Sequence, residues 1–359
     1  MRVTFRCLLA LSVILSGGEI LVRLFICGPS AQVYDREIGY SYLAHSEFFQ
    51  AREGYARLRL NALGLNDEDL KPKNGRCRVL VVGDSYTTAL QVPRDQNFTS
   101  VAEQLDESLD VINAGRDGLS LGDVHKIVDR VKVSVRPDLV VYVLNKGDID
   151  DDTQLPELSV VVDERTGEVK HAAMRVEEKE RFKEIFAPIL RHSALATRLA
   201  AQLQPSAASA AEMLARLRTL MSSNAVSTPP ASNAPPGRPS REEILAFVYR
   251  RLASDIPIAL LYIDVLQYSP NHLATVAPAS RNAEAVGRKA AASAGVQFFS
   301  ASEYLIASVK QSGQPPFGFN NGLRPGGHLN AEGHRAVGRA LVDLIHEMRS
   351  SLSIECAKK

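Results

Sequence analysis

The fold is decided by the stretch Val81-Val82-Gly83-Asp84-Ser85-Tyr86-Thr87. It joins a short apolar run, which begins at Arg78, to a turn made of glycine, aspartate and serine. An apolar run of this kind predicts a strand that is buried on both faces of a parallel sheet. Ser85 is then expected at the carboxyl edge of the sheet, where backbone N–H groups of the next turn can stabilise an oxyanion. A serine in such a turn is also a common helix N-cap, so its position alone does not require catalysis.

Strands and amphipathic helices alternate along the rest of the chain. Apolar stripes predict helices over 97–109 and from Ser120, the expected N-cap, to about residue 136, with buried strands at 111–112 and 139–144. The pattern resumes with helix 241–252, strand 256–263, helix 279–292, strand 296–299 and helix 331–348, which Asn330 is expected to cap. This order predicts a flavodoxin-like, three-layer α/β/α fold with a central parallel sheet.

Residues 155–240 interrupt this alternation. They contain a predicted hairpin around Thr166 and Gly167, an alanine-rich helical stretch over 177–220, and a stretch rich in proline and serine over 222–240. The composition of the last stretch predicts disorder. We therefore divide the chain into an N-terminal segment 1–28, an approach segment 29–76, an α/β domain 77–350 that carries this insertion, and a tail 351–359.

The N-terminal segment has the features of a membrane anchor. Arg2 and Arg6 precede an apolar run over 7–27 whose length matches a bilayer. Glu19 and Arg23 interrupt the run at a spacing that lets them pair on one helix face. No convincing cleavage site follows, so we favour an uncleaved, single-pass anchor over a cleaved signal sequence or a buried core helix. The positive-inside rule then places the domain outside the cytoplasm, in the periplasm or at the cell exterior.

The composition excludes several kinds of partner. The formal net charge of the 359 residues is +1, and no basic stripe with interleaved aromatic residues argues for nucleic acid binding.

The four cysteines have no metal-site spacing, so no metal or other cofactor is expected. Cys77 and Cys356 either form a disulfide outside the cytoplasm or remain free thiols. The acidic cluster at 148–152 is more typical of a solvated loop than of a cation site. The sequence gives no indication of oligomeric state.

A histidine suited to activate Ser85 lies near the end of the chain. His328 is in a glycine-rich loop before the last predicted helix, again at a sheet edge. A serine hydroxyl needs a nearby base to become a nucleophile, and histidine is the side chain most often used. His334 falls inside the helix, where we expect it to pack or cap.

Three sequence blocks resemble the SGNH/GDSL hydrolase family. They are Gly83-Asp84-Ser85-Tyr86-Thr87, Asn113-Ala114-Gly115-Arg116-Asp117-Gly118 and His328-Leu329-Asn330-Ala331-Glu332-Gly333-His334. The stretches 18–23 and 59–65 further resemble a bacterial branch with one N-terminal membrane helix. The resemblance covers most of the chain outside 155–240. It implies a serine esterase with Ser85 as nucleophile, His328 as base, and the backbone N–H groups of Ser85 and Gly118 in the oxyanion hole.

Two blocks depart from the family pattern. Where the family's third block has an asparagine before its aspartate, this chain has Gly147 before Asp148, so Asn145 becomes the candidate oxyanion donor. The family's last block carries an acid two or three residues before the histidine, and here Gly326 and Pro325 stand there. The acid is then expected from Asp148 or Asp150, unless a backbone carbonyl or a serine–histidine dyad replaces it.

The expected substrate is an O-acyl ester, most simply an acetyl ester, of a cell-envelope glycan or a small ester. Two alternatives use the same fold. One is an O-acyltransferase that modifies an exported polysaccharide, because a sugar hydroxyl can replace water at the acyl-enzyme. The other is a catalytically degenerate carbohydrate-binding protein, because the third and last blocks are altered.

Overall fold

A computed structural model of the chain describes residues 2–26, 28–35, 38–51, 53–119, 121–150, 158–163, 165–166, 168–174, 187–203, 239–252, 256–268, 274–322 and 326–352. Its strands are β1 Gln32–Asp35, β2 Gly39–Tyr42, β3 Glu47–Gln50, β4 Ala56–Arg59, β5 Cys77–Val82, β6 Leu109–Asn113, β7 Leu139–Asn145, β8 Leu158–Val162, β9 Val169–Met174, β10 Ile258–Ile263, β11 Leu266–Tyr268, β12 Ala274–Val276 and β13 Gln297–Ser300. Its helices are α1 Arg2–Phe25, α2 Ser85–Thr88, α3 Phe98–Leu105, α4 Val124–Val135, α5 Lys146–Asp150, α6 Ala194–Leu203, α7 Arg241–Leu252, α8 Pro278–Ala294, α9 Ser302–Ser312 and α10 Ala331–Leu352.

Five parallel strands form the central sheet, in the spatial order β13-β10-β7-β5-β6. Side chains alternate between the two faces of each strand, so the sheet supports two separate apolar layers. One layer packs against α4, α7 and α8, and the other against α3, α9 and α10. The predicted three-layer α/β/α fold is therefore confirmed.

The strand order places a ligand site beside β5. Counted in chain order within the sheet, the strands run 2-1-3-4-5, which is the flavodoxin-like order. The order reverses between β5 and β7, and ligands of such sheets bind at the carboxyl ends of the strands at this point. Ser85 follows β5, and Asn145 is the last residue of β7.

Several element boundaries differ from the predicted ones. The helix predicted over 97–109 ends at Leu105, because the Asp106 side chain accepts a hydrogen bond from the Ser108 N–H at 2.8 Å and turns the chain into β6. The helix predicted from Ser120 begins at Val124, and Ser120 lies outside the described residues. The last helix extends to Leu352. Asn330 caps it as predicted, since its Oδ1 atom accepts the N–H groups of Glu332 and Gly333 at 3.0 and 3.2 Å.

The approach segment contains two antiparallel hairpins that the sequence did not predict. β1 pairs with β2, and β3 pairs with β4. Each strand has four residues, which is too short for a clear alternation of polar and apolar side chains. The loop between β3 and β4 carries Glu53.

Part of the insertion is described. β8 and β9 form the antiparallel hairpin predicted around Thr166. α6 falls within the predicted alanine-rich helical stretch. Residues 175–186 and 204–238 lie outside the described residues, so the remaining helical and disordered assignments stay predictions.

The N-terminal helix α1 is long and apolar enough over Phe5–Phe25 to cross a membrane, with a mean hydropathy of 1.9, a property that anchors and signal sequences share. Glu19 and Arg23 form the predicted salt bridge, at 2.5 Å. The Glu19 carboxylate also accepts the N–H groups of Ala194 and Leu195, at 2.8 and 2.9 Å. These N–H groups lie at the start of α6, so Glu19 caps that helix from α1.

Candidate active site

Ser85 begins α2 directly after the turn that ends β5. The Asp84 side chain caps this helix by accepting the Tyr86 N–H at 2.9 Å. Gly83 allows the sharp turn, because a Cβ atom there would lie 2.3 Å from the Thr87 Oγ1 atom and 3.1 Å from Val143. The backbone therefore fixes Ser85, half-buried, at the edge of the sheet.

His328 contacts Ser85 through one ring nitrogen and an acid through the other. Its Nε2 atom lies 2.9 Å from the Ser85 Oγ atom. Its Nδ1 atom lies 2.6 Å from the Glu53 Oε2 atom, and its backbone N–H donates to Glu53 Oε1 at 2.8 Å. A proton on Nδ1 donates to the carboxylate, which leaves Nε2 free to accept the serine proton. This is the serine–histidine–acid arrangement of acyl-transfer enzymes.

The acid at His328 corrects the sequence-based expectation. It comes from the approach segment, whereas Asp148 points its Oδ2 atom to the Asn145 N–H, at 2.8 Å. The Asp150 side chain is not among those described. Gly327 makes room for the acid, since its φ is +92° and a Cβ atom there would lie 2.2 Å from Glu53 Oε1. Glu53 thus supplies the carboxylate that the last block lacks.

The loop that carries Glu53 is held by Asn321. The Asn321 Nδ2 atom donates to the carbonyl oxygens of Ala51 and Gly54, both at 3.0 Å, and its Oδ1 atom accepts the Gly54 N–H at 2.9 Å. Gly54 has a φ of +73°, and a Cβ atom there would lie 2.1 Å from the Gln91 carbonyl oxygen. The loop is therefore fixed on both sides of Glu53.

The candidate oxyanion donors come from three segments: Ser85 from the start of α2, Gly118 from the turn after β6, and Asn145 from the end of β7. Among the described residues, no acceptor pairs with the backbone N–H of Ser85 or with that of Gly118. Gly118 is exposed and has a φ of +64°. The Asn145 side chain donates one Nδ2 proton to Asp84 Oδ2 at 2.8 Å and accepts the Gly147 N–H at 2.6 Å. Among the residues that the structure describes, no acceptor pairs with the second Nδ2 proton of Asn145. A Cβ atom at position 147 would lie 2.9 Å from Asn145 Oδ1. An asparagine at position 147, as in the family pattern, would therefore clash with the Asn145 side chain in its present position.

Two further carboxyl groups lie close to the site. Burial raises the pKa of Asp84 and of Asp117, and hydrogen bonds oppose this effect, from the Tyr86 N–H and the Asn145 side chain at Asp84 and from Thr88 at Asp117. Within the part of the chain that the structure describes, no three His, Cys, Asp or Glu side chains group as a metal site.

His334 packs in the core, as the sequence predicts. Its side chain is buried and stacks on Phe98, with ring centroids 5.9 Å apart. Burial lowers the pKa of His334 to about 3, so the ring is neutral in the native protein. It makes no hydrogen bond to Ser85, in contrast to His328.

No family model and no curated protein matches the chain. Solved structures to which it is similar include a lipolytic protein of the G-D-S-L family from Veillonella parvula DSM 2008, at 11% identity, covering 75% of this chain and 98% of that one, with a TM-score of 0.35. An acetyl xylan esterase from Geobacillus stearothermophilus is 13% identical over 76% and 97% of the two chains, with a TM-score of 0.37. An extracellular lipase from Streptomyces rimosus is 13% identical over 74% and 98%, with a TM-score of 0.38. The solved structures that this chain resembles thus include G-D-S-L lipolytic proteins and acetyl xylan esterases.

Proposed function

We propose that the protein is a serine esterase of the SGNH/GDSL type. The observation that carries this proposal is the continuous contact from Ser85 Oγ through the His328 ring to the Glu53 carboxylate, at 2.9 and 2.6 Å. In the sequence, Ser85 lies 243 residues before His328, and Glu53 lies 275 residues before it. A catalytic arrangement is the simplest reason for three such groups to meet at the carboxyl edge of a parallel sheet.

The geometry supports an acyl-serine mechanism. Ser85 Oγ attacks the ester carbonyl carbon while His328 Nε2 takes the hydroxyl proton, and Glu53 stabilises the imidazolium that forms. The N–H groups of Ser85 and Gly118, with the second Nδ2 proton of Asn145, donate to the carbonyl oxygen as it becomes negative. His328 then gives its proton to the leaving alcohol. Water attacks the acyl-Ser85 carbonyl and loses a proton to His328. The bond between Ser85 Oγ and the acyl carbon then breaks, His328 returns the proton to Ser85 Oγ, and the carboxylic acid leaves.

For the substrate, we propose an O-acyl ester, most simply an acetyl ester, of a cell-envelope glycan or a small ester. The proposed extracytoplasmic location supports an envelope substrate. Structural neighbours include acetyl xylan esterases, so acetylated xylan is among the first compounds to test. An O-acyltransferase would use the same acyl-Ser85, so acetate release should be measured with and without a polysaccharide acceptor.

We also propose that α1 anchors the protein in the cell membrane, with the domain in the periplasm or at the cell exterior. Arg2 and Arg6 at one end of the apolar span support this orientation. Cys77 is disulfide-bonded, which suits an oxidising compartment; its candidate partner Cys356 lies outside the described residues.

Membranes washed with carbonate should retain the full chain, and a periplasmic reporter fused after residue 359 should be active. Full-length chain in the cytosol would contradict the anchor.

The esterase proposal is tested with p-nitrophenyl acetate and the full chain in detergent. We expect Ser85→Ala to lower kcat/KM by at least about a thousandfold, because the nucleophile is lost. Ser134→Ala is the matched control, since Ser134 is an exposed serine on α4, and it should leave hydrolysis unchanged. Equal turnover by wild type and Ser85→Ala would reject the proposal.

A further inference from the structure

A pocket of about 420 Å³ opens where α1 leaves its apolar span. Its lining includes Arg23 from the last turn of α1, Gly28 from the segment that follows, and Arg57 and Arg59 from β4. The Gly28 N–H donates to the Phe49 carbonyl oxygen of β3 at 3.3 Å. The β3–β4 hairpin therefore lies directly at the end of α1.

The strand pattern turns the polar face of the hairpin to this pocket. Along β4, Ala56 and Leu58 are buried, whereas Arg57 and Arg59 are exposed. Phe49 is the cross-strand partner of Arg57, whose guanidinium carbon lies 6.0 Å from the Phe49 ring centroid. The Phe49 ring also faces Tyr55, with centroids 6.4 Å apart, and Tyr55 is 63% exposed. The surface thus combines two arginines with two aromatic rings.

The charge of this surface is only partly balanced. Glu19 pairs with Arg23, and Glu47, the cross-strand partner of Arg59, lines the same pocket. Within the described residues, neither Arg57 nor Arg59 forms a salt bridge with an acidic side chain. Guanidinium groups bind phosphate oxygens in a bidentate geometry, so this pair suits a phosphate ligand.

The position of the pocket identifies the source of that phosphate. The apolar span of α1 ends at Phe25, two residues after Arg23 and three before Gly28. The hydrocarbon core of a bilayer is about 30 Å thick, and the headgroup layer adds roughly 5–8 Å on each side. A pocket lined by both Arg23 and Gly28 therefore lies at headgroup depth. The exposed Tyr55 also suits this layer, because tyrosine joins an apolar ring to a hydroxyl that can stay in water.

We propose that the pocket at Arg57 and Arg59 binds the phosphate of an acidic phospholipid headgroup in the membrane that α1 crosses. This inference rests on the proposed membrane anchor. It makes the β3–β4 hairpin a second membrane contact of the protein. Removing each arginine should weaken the preference for acidic lipid about fivefold, since a basic residue near an anionic surface typically contributes about 1 kcal/mol.

The absence of tryptophan from the chain gives a direct test. Tyr55→Trp in the full chain places the single tryptophan beside Phe49. The protein is reconstituted into vesicles of neutral phosphatidylcholine, with or without about 30% phosphatidylglycerol, and flotation first shows whether α1 has inserted. Quenching by a headgroup-labelled lipid then reports contact of the hairpin with the headgroup layer. We expect stronger quenching and a blue-shifted emission in vesicles that contain phosphatidylglycerol.

Arg57→Gln together with Arg59→Gln should abolish this response while flotation persists. The control pair Lys310→Gln and Arg339→Gln removes two exposed cations from α9 and α10 and should retain it. Excess soluble glycerophosphate at constant ionic strength should not remove the response; full competition would indicate a free-phosphate site and overturn the lipid proposal. Tryptophan quenching that is the same with and without phosphatidylglycerol in protein that floats, or loss of the response in the control pair, would also overturn it. Failure to float would instead reject the anchor.

Discussion

The Glu53 carboxylate holds His328 at two points, since Oε2 lies 2.6 Å from the ring Nδ1 atom and Oε1 accepts the backbone N–H at 2.8 Å. The first contact fixes the tautomer that leaves Nε2 facing Ser85, and the second fixes the backbone of the loop that carries the histidine. A carboxylate in this position stabilises the imidazolium as it forms. Its origin in the approach segment makes residues 29–76 part of the proposed catalytic machinery.

Glu53→Gln should lower kcat for acetyl-ester hydrolysis by about three to four powers of ten, because an amide no longer favours the required tautomer or stabilises the imidazolium. Asp148→Asn is the control, since Asp148 accepts a backbone N–H of Asn145 rather than contacting His328. It should change kcat by less than about tenfold. Steady-state kinetics would contradict the assignment if Asp148→Asn were the more damaging substitution.

An aspartate at position 326 should partly replace Glu53. A Cβ atom at Gly326 meets nothing within 4 Å, so the side chain fits, and the resemblance to the SGNH/GDSL family places an acid two residues before the histidine. Gly326→Asp should raise the activity of the Glu53→Gln variant by about tenfold or more. In the wild type it should give no gain, because His328 Nδ1 already has a partner. No recovery in a variant with an unchanged melting temperature would show that position 326 does not reach the ring.

The sequence predicts the parallel sheet and the Ser85–His328 pair because both depend on local patterns: buried apolar runs, and short blocks at strand ends. It does not predict Glu53, because nothing local marks a glutamate in a hairpin loop 275 residues before the histidine as its partner. The useful signal was the missing acid at Gly326 and Pro325, which indicated that a carboxylate had to come from elsewhere. The strands on either side of Glu53, β3 and β4, have four residues each, which is too few to show the alternation of polar and apolar side chains that marks a strand.

Asn321 should act through Glu53. Asn321→Ala removes three hydrogen bonds to the 51–54 loop and should lower kcat by roughly tenfold to a hundredfold with little change in KM, since the loop no longer holds the acid at the ring. The neighbouring Asn320, which is exposed, provides the control substitution Asn320→Ala. In the Glu53→Gln background, Asn321→Ala should have little further effect on kcat, because residues that act as a unit are not additive. Additive losses would indicate a separate role for Asn321.

His334 should make the protein sensitive to acid without contributing to catalysis. Burial lowers the pKa of His334 to about 3, whereas an unfolded histidine titrates near 6.5. The unfolded state therefore binds the extra proton, so stability is fully present above about pH 6.5 and falls by about 1.4 kcal/mol per pH unit towards pH 3. His334→Leu should flatten this part of the stability profile and retain esterase activity at pH 7. Thermal melting from pH 3 to 7 in both proteins tests this, and parallel profiles would exclude His334 as the cause.

We infer that Ser85 becomes a nucleophile because His328 and Glu53 activate it. The most direct measurement is the rate at which a phosphonofluoridate modifies the full chain, with the labelled residue identified by mass spectrometry. The wild type should be labelled at Ser85, while Glu53→Gln and His328→Ala should be labelled at least about a hundredfold more slowly. Labelling of another residue, or a Ser85 that reacts equally fast in all three proteins, would show that His328 and Glu53 do not activate Ser85.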